Sequence, residues 1–312
     1  MIDSIKLFTT DTSIVDIKHL EDKYGFNTLN ANNGYFSHRF KINNISIKID
    51  NHGLHIEGSA PKYLNNNNVK TLKLNQILPF TTKLSEDLGF DVTGLTITKI
   101  DITDNIVLPN NTFIYKRYFG HCRYFQKIEY EYNGILYRNG TRSITIYDKT
   151  LEMLNTRVQI PDTYANLNLL RIEYGITKRV RDHLGDGIVT MHDLTTPENY
   201  LLLVDKWEYM FNQIHKISFQ PTLAMPYVPG MRPREYYTIV GVQANGGITK
   251  TKADIEEGIL LGHFTERVGK HHIDNIIEYQ NKYSRLSDGA FTDRKEELIT
   301  CFNQKVRENK NI

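Results

Sequence analysis

The 312-residue sequence contains only two cysteines and one tryptophan, and it has no apolar run long enough to cross a membrane. Cys122 and Cys301 lie far apart and form neither a disulfide framework nor a zinc motif, which favours a reducing compartment. A membrane span needs about 20 predominantly apolar residues, so we expect no membrane partner. The opening residues MIDSIKLFTT lack the apolar stretch of a signal peptide, and we therefore predict a cytoplasmic protein.

A strong net charge is also missing. The formal charge of +2 and the hydrophobic content of 40% are typical of a folded protein with one large or two modest domains. This balance gives no indication of a nucleic-acid binder, so any DNA-binding surface would have to be local. What is abundant is tyrosine, with 19 residues. Tyrosine can fill a core, stack on bases or act as a nucleophile, and composition does not choose among these roles.

Short alternating segments dominate the first two thirds of the chain and predict strands. The predicted strands are IDSIKLFTT, YFSHRFKI, ISIKID, GLHIEGS, LTITKIDIT, KIEYEY, ILYR, RSITIYD and NLLRIEYGI. We predict helices over residues 69–88, from residue 149 to 156, and from Pro197 with Thr196 as its cap. Asn133-Gly134 and Asn139-Gly140 predict tight hairpin turns with positive φ.

The proline-rich segment QPTLAMPYVPGMRP separates this strand-rich part from a region with helical patterning. We therefore predict one domain over residues 1–218 and a smaller, mostly helical region over residues 219–312.

Side-chain alternation in four of the strands separates an apolar face from a functional one. If these strands share a sheet, the functional face carries His55, Glu57, Asp101, Tyr147, Arg171 and Glu173. The alternative is a half-solvated antiparallel sheet, whose outward residues are polar in any case, or a structural protein in which these residues do not converge.

Such a face could support phosphodiester chemistry. Carboxylates, with one imidazole, suit Mg²⁺ or Mn²⁺, which would polarise a phosphodiester oxygen. A tyrosine with a pKa near about 10 is a poor nucleophile. A nearby cation, such as Lys149 or the metal, would favour its phenolate. Attack on phosphorus would give a 5′-phosphotyrosyl bond and a free 3′-hydroxyl, and this reaction can run backwards to reseal a strand.

Four local patterns occur in a recognisable order: MIDSIKL, HIEGSAPKYL, TKIDIT, and RSITIYDKTLE followed by NLLRIEYGI. In these, the chain resembles the rolling-circle replication initiators of filamentous phages, the gene II protein family, and more distantly those of small staphylococcal plasmids. The resemblance covers residues 1 to about 217. It implies an α+β fold in which helices cover one face of an antiparallel sheet.

The resemblance also implies roles for individual residues. Tyr147 is the nucleophile, and Lys149, Glu152 and Arg171 accompany it as catalytic residues. The implied metal ligands are Glu57, Asp101, Glu173 and His55, where His55-Ile56-Glu57 stands for a His-hydrophobic-His motif. The simpler interpretations are a packing aromatic for Tyr147, a surface ion pair for Lys149 and Glu152, and an internal salt bridge for Arg171 and Glu173.

The implied function is rolling-circle initiation by a magnesium- or manganese-dependent nickase that cuts and rejoins one strand of origin DNA. Its partners would be duplex origin DNA with a locally single-stranded nick site, and a helicase and polymerase of the bacterial host. Two other functions stay open: a plasmid mobilisation relaxase, and a DNA-binding regulator that has lost the nuclease.

Candidate DNA contacts come from Arg142 and from the segment FTERVGKHHIDN, which supplies Arg267, Lys270 and His271. We predict that these residues contact phosphates, with salt-sensitive binding. The alternative is a solvated charge cluster.

Overall fold

The computed structural model describes residues 1–25, 27–30, 36–129, 134–156, 160–217, 231–245, 248–290 and 294–311. Its strands are β1 Ile2–Thr9, β2 Asn27–Asn30, β3 Phe36–Ile42, β4 Ile45–Asp50, β5 Gly53–Ser59, β6 Thr96–Leu108, β7 Phe119–Cys122, β8 Gln126–Glu129, β9 Ile135–Arg138, β10 Arg142–Asp148, β11 Asn168–Ile176 and β12 Ile214–Lys216. Its helices are α1 Ile17–Tyr24, α2 Ala60–Asn65, α3 Leu74–Leu88, α4 Thr112–Lys116, α5 Lys149–Asn155, α6 Val180–Leu184, α7 Pro197–Gln213, α8 Pro233–Ala244, α9 Ile248–Leu260, α10 Glu266–Ala290 and α11 Lys295–Lys310. The predicted α+β class is confirmed.

Ten of the described strands form one antiparallel sheet in the order β2-β3-β4-β5-β1-β6-β11-β10-β9-β8, and β7 pairs with β12 separately. The first strand of the chain therefore lies in the middle of the sheet, between β5 and β6. This position brings the N-terminal residues next to residues near 57 and 100, which local sequence patterns do not reveal.

Five predicted strands match β4, β5, β9, β10 and β11 from end to end. The predicted alternation is confirmed as well, because Ile56, Ile102, Ile146 and Ile172 are all at most 2% exposed. Strand β6 runs five residues further than predicted, to Leu108. It continues because its last residues stay paired with β11 as far as Asn168.

Two local predictions are wrong. The helix predicted from residue 69 begins at Leu74, because Leu72 pairs instead with Ile2, with its N–H donating to the Ile2 carbonyl at 2.9 Å. At Asn139-Gly140 neither residue has positive φ. Asn139 Oδ1 accepts the backbone N–H groups of Thr141 and Arg142, so its side chain closes the turn.

Some predicted features lie outside the described residues: Asn133 of the first turn, the end of KIEYEY, and most of the proline-rich segment.

Helix α7 covers the apolar face of the sheet. Thr196 caps it by accepting the N–H of Asn199, as predicted, and Trp207 Nε1 donates to the Ile172 carbonyl at 2.9 Å. The ring of Phe302 in α11 stacks on Phe211, with centroids 3.6 Å apart, and lies 4.6 Å from Trp207. Residues 298–312 therefore belong to the same compact unit as residues 1–215.

Residues 216–297 form a second compact unit. Its helices α8, α9 and α10 contact one another, and its core contains Met231 and Ile239 with Tyr236, Val240 and Tyr279 packed around them. Among the residues that the structure describes, no helix has both the length and the apolar character needed to span a membrane.

Candidate active site

Strand register places the predicted functional residues on one side of the central sheet. Tyr147 in β10 faces Arg171 in β11, and Gly175 in β11 faces Asp101 in β6. On the other flank Lys6 in β1 faces both Glu57 in β5 and Lys99 in β6. Directly opposed residues share a face, so these side chains all lie opposite the buried isoleucines. We call this side of the seven neighbouring strands β3, β4, β5, β1, β6, β11 and β10 the polar face.

The Tyr147 hydroxyl lies 2.8 Å from Glu173 Oε1 and donates a hydrogen bond to it. Burial, and next the charge of Glu173, raises the pKa of Tyr147 above its ordinary value, while Arg171 opposes the shift. Burial also raises the pKa of Glu173, against the charge of Arg171. The Tyr147 hydroxyl is thus hydrogen-bonded to Glu173, whose affinity for a proton is raised, and the guanidinium of Arg171 lies beside Glu173.

Arg171 is fully buried, with 0% of its surface exposed. Its Nη2 donates to the Asn68 carbonyl at 2.6 Å, its Nε lies 3.8 Å from Glu173 Oε1, and its Nη1 lies 3.7 Å from Asp3 Oδ2. A buried charge is tolerated only when it is paired and hydrogen-bonded. One hydrogen bond and two ion pairs hold the guanidinium beside Tyr147, while its Nε and Nη1 have no hydrogen-bond partner among the described residues.

Asp3 is a member of this cluster that the strand pattern did not predict. By simple alternation it would share the side of the buried Ile5, but the pairing of β1 with β6 shifts between Ile2 and Ile5. Such irregularities re-aim side chains. Asp3 is 6% exposed, and its Oδ1 accepts from Ser59 Oγ at 2.7 Å. The available signal was an acidic residue at a position where the alternation of β1, with Ile5 and Leu7, predicts an apolar one.

Lys149 and Glu152 form an ion pair in which the lysine is buried and the glutamate is partly exposed. The sequence had suggested a pair with both residues on the surface. Lys149 is 0% exposed, and its Nζ lies 2.6 Å from Glu152 Oε2 and 3.1 Å from Asn68 Oδ1. Burial, and next the charge of Arg171, lowers the pKa of Lys149. Asn68 thus holds both Lys149 and Arg171, a role hidden within a run of four asparagines.

Glu57 and Asp101 flank the ammonium of Lys99. The Lys99 Nζ lies 3.2 Å from Glu57 Oε1 and 3.8 Å from Asp101 Oδ2, and Lys6 lies 3.4 Å from Glu57 Oε2. Burial raises the pKa of Asp101 to about 6, against the charge of Lys99. The pKa of Glu57 is lowered, because its partners Lys99 and Lys6 outweigh its partial burial.

Gly175 leaves the space that Asp101 occupies. A Cβ at this position would lie 2.8 Å from Asp101 Oδ1 and 2.7 Å from Ser143 Oγ. Both distances are shorter than van der Waals contact, so any larger residue at position 175 would displace the side chain of Asp101 or Ser143.

The fit of this site to a divalent metal rests on oxygen donors. No three His, Cys, Asp or Glu side chains within the described ranges are close enough to hold a metal together. Mg²⁺ commonly takes only one or two protein carboxylates and keeps water and phosphate oxygens as its other ligands. Glu57 and Asp101 suit that mode of binding once the Lys99 ammonium between them moves aside.

His55 lies on the polar face, where Asp50 and Phe8 are its neighbours. Its Nε2 is 3.9 Å from Asp50 Oδ1, and its ring centroid is 4.8 Å from that of Phe8. Burial lowers the pKa of His55 despite the charge of Asp50.

The four predicted DNA contacts lie away from the polar face or in the second unit. Arg142 alternates with Tyr147 on β10, so it points to the opposite side of the sheet, where its guanidinium lies 5.3 Å from the Phe125 ring centre. Arg267, Lys270 and His271 are exposed on α10. Lys270 Nζ pairs with Glu266 at 2.6 Å.

Comparison with known proteins supports the resemblance found in the sequence. Residues 1–208 match the family of phage replication-associated proteins that is defined by the N-terminal part of the gene II protein. This range ends within α7 and contains every residue of the Tyr147, Arg171 and Asp101 clusters. A search of curated proteins found no significant match to the chain.

Proposed function

We propose that this chain nicks and rejoins one strand of origin DNA through Tyr147, because it belongs to the family of replication-associated proteins defined by the N-terminal part of the phage gene II protein. Members of this family initiate rolling-circle replication. The observation that carries this proposal is the 2.8 Å hydrogen bond from the Tyr147 hydroxyl to Glu173, beside the buried guanidinium of Arg171. A nucleophile hydrogen-bonded to a base that a third group orients is the usual signature of covalent catalysis.

In the proposed reaction Glu173 is the general base. It takes the phenolic proton as the Tyr147 oxygen forms a bond to phosphorus, and the bond from phosphorus to the 3′ oxygen breaks. The leaving 3′ oxygen takes up a proton from solvent and becomes the free hydroxyl. Arg171 stabilises the negative charge that develops on the phenol oxygen. The reverse sequence rejoins the strand and returns the proton to Tyr147.

Lys149 and Glu152 support this arrangement from the start of α5. Their ion pair and the contact of Lys149 with Asn68 hold the loop whose carbonyl accepts from Arg171. Lys149 thus positions Arg171, whose charge acts against the raised pKa of Tyr147.

Asp101 and Glu57 would hold Mg²⁺ or Mn²⁺ together with a phosphate oxygen of the DNA. When bound, the ion would polarise the scissile phosphodiester and neutralise its charge. The DNA would be a supercoiled origin with a locally single-stranded nick site, and a host helicase and polymerase would extend the free 3′ end.

The test uses the supercoiled circular DNA that encodes the chain, incubated with Mg²⁺ and the protein. We expect a nicked circle and a covalent protein–DNA adduct, both lost in Tyr147→Phe. The matched control is Tyr209→Phe, which removes the hydroxyl of an exposed tyrosine on α7.

An adduct that persists in Tyr147→Phe would reject Tyr147 as the nucleophile. Binding that is insensitive to a chelator, with no nicking, would favour the non-catalytic regulator. Nicking that requires a conjugative context would favour the mobilisation relaxase.

A further inference from the structure

Two cavities open on the polar face, one lined by residues of β1, β5, β6 and the segment 177–181, and the other by residues of β1, β3, β4 and β5. One has a volume of about 540 Å³ and the other about 300 Å³, and both are lined by Lys6 and His55. The two cavities therefore adjoin at these residues, and together we call them the basic groove. Its lining residues all belong to the first compact unit.

The basic groove is strongly cationic. The basic residues that line it are Lys6, Arg39, Lys48, Lys178, Arg179 and Arg181, whereas Glu57 is its single lining acid among the described residues. Lys6 pairs with Glu57, Lys48 with the buried Asp50, and Arg181 with Asp186. In the part of the chain that the structure describes, Arg39, Lys178 and Arg179 have no acidic partner. This excess of positive charge, local to one groove, is what a polyanion would neutralise.

Two features of the basic groove reduce the stability of the fold. Arg39 in β3 lies directly opposite Lys48 in β4, and like charges in that position destabilise a sheet. Arg179 has φ 55° and ψ 48°, a left-handed conformation that is costly for a residue with a side chain. Costs of this kind persist at binding sites, where a ligand or a required side-chain direction compensates for them.

Aromatic rings line the same groove. Phe8 lies on the polar face, in register with His55, and the two ring centroids are 4.8 Å apart. An aromatic platform beside cations is the arrangement that binds single-stranded nucleic acid, because bases stack on the rings while the cations contact phosphates. Stacked bases in a duplex do not offer their faces in this way.

We propose that the basic groove binds the bases and phosphates of single-stranded DNA a few nucleotides from the scissile phosphate. This inference rests on the proposed function, which places that phosphate at Tyr147. Six interstrand steps separate β10 from β3. At about 4.8 Å a step, they put Arg39 roughly 29 Å from the strand of Tyr147. A strand lying across the polar face would pass Glu173, Asp101 and Lys99 before it enters the groove.

The test measures binding of a fluorescent single-stranded oligonucleotide from the circular DNA that encodes the chain, over a range of salt concentrations. The variant is Arg39→Ala with Arg179→Gly. Neither arginine has an acidic partner among the described residues, and glycine tolerates the left-handed conformation at position 179, so this double variant should fold. The control, Lys18→Ala with Lys83→Ala, removes two exposed lysines that do not line the groove.

We expect weaker binding by the double variant and a slope of log affinity against log salt that is smaller by about 1.4, since each contact to single-stranded DNA contributes about 0.7. The control should keep the slope of the unchanged protein. Phe8→Leu should weaken binding about tenfold without changing the slope, because stacking releases no counterions. A slope in the double variant equal to that of the control would overturn the proposal.

Two comparisons complete the test. Shortening the oligonucleotide from one end should abolish the difference between the double variant and the unchanged protein, whereas shortening from the other end should preserve it. An equal effect of the double variant on the matched duplex would instead identify a duplex site and reject the single-strand assignment.

This test is independent of catalysis. If the protein forms adducts at Tyr147 but the double variant keeps the salt slope of the unchanged protein, only the groove proposal is rejected. A change in slope without any adduct would reject only the nicking mechanism.

Discussion

The two ends of the polar face hold their cations in opposite ways. Near Tyr147, Arg171 is fully buried and is fixed by Asn68, Asp3 and Glu173. At the other end Arg39 is exposed and has only a contact of its Nε with Ser37 Oγ, at 3.3 Å, among the described residues. In the first arrangement two ion pairs and one hydrogen bond to protein groups hold the charge, which would prepare it for chemistry on one atom. In the second the charge stays open to solvent, which suits the binding of an anion.

Because of this difference, the buried charge should affect the reaction rate or the stability of the fold, and the exposed cations should affect the affinity for DNA. A buried and oriented charge acts on one atom, so its loss changes a rate or the stability of the fold. Exposed cations act on a whole backbone of phosphates, so each loss changes binding by a modest and salt-dependent amount. Substitutions at the two ends should therefore differ in kind as well as in size.

The largest effect should come from Glu173→Gln, which removes the base at the buried end and keeps the shape of the side chain. A general base contributes about 10²- to 10⁴-fold to a rate. We expect the nicking rate under single-turnover conditions to fall by that factor, with DNA binding retained. Glu129→Gln, at an exposed acid on β8, is the control and should leave the rate unchanged. A Glu173→Gln rate within tenfold of the unchanged protein would remove Glu173 from the mechanism.

The next largest effect is a difference in the free energy of unfolding between variants of Arg171 and Arg39. Arg171→Met leaves Asp3 and Glu173 without their shared cation, and breaking a buried pair in this way costs about 3–5 kcal/mol. Arg39→Met removes an exposed charge and should change the free energy of unfolding by less than about 0.5 kcal/mol. Urea denaturation of both variants measures this contrast. Similar losses in the two variants would mean that the ends of the face are not held differently.

Much of the fold followed from local pattern. Five strands were predicted from end to end, because alternation in segments such as RSITIYD leaves a single face to bury. Alternation also predicted that Tyr147, Arg171 and Glu173 share a face, since their neighbours Ile146 and Ile172 had to be buried.

The remaining errors and omissions come from contacts between distant residues. Leu72 pairs with Ile2 and so delays α3, and the irregular pairing of β1 turns Asp3 toward Arg171. Asn68 anchors two cations from a run of asparagines that has no pattern of its own. The packing of Phe302 on Phe211 assigns the last helix to the first unit. Apart from the acidic character of Asp3, none of these contacts has a local signal in the sequence.

The smallest of the three effects concerns Asp101, which lies between the two ends of the face. Burial raises its pKa to about 6, from an ordinary value near about 3.9. A raised carboxyl pKa means that ionisation opposes folding: the cost is absent below about pH 4, grows as the pH rises, and is complete above about pH 6. The difference between these two pKa values corresponds to at most about 3 kcal/mol.

Asp101→Asn should therefore increase the free energy of unfolding by up to about 3 kcal/mol at pH 7 to 8 while it decreases nicking. Urea denaturation at a series of pH values should show this gain shrinking to near zero at about pH 4. Asp162→Asn, at an exposed carboxylate, should stay within about 0.5 kcal/mol of the unchanged protein throughout. A gain that does not depend on pH would show that Asp101 is not destabilised by its burial. A loss of stability at neutral pH would show that its contact with Lys99 outweighs the burial, and the middle of the face would then resemble the Arg171 end.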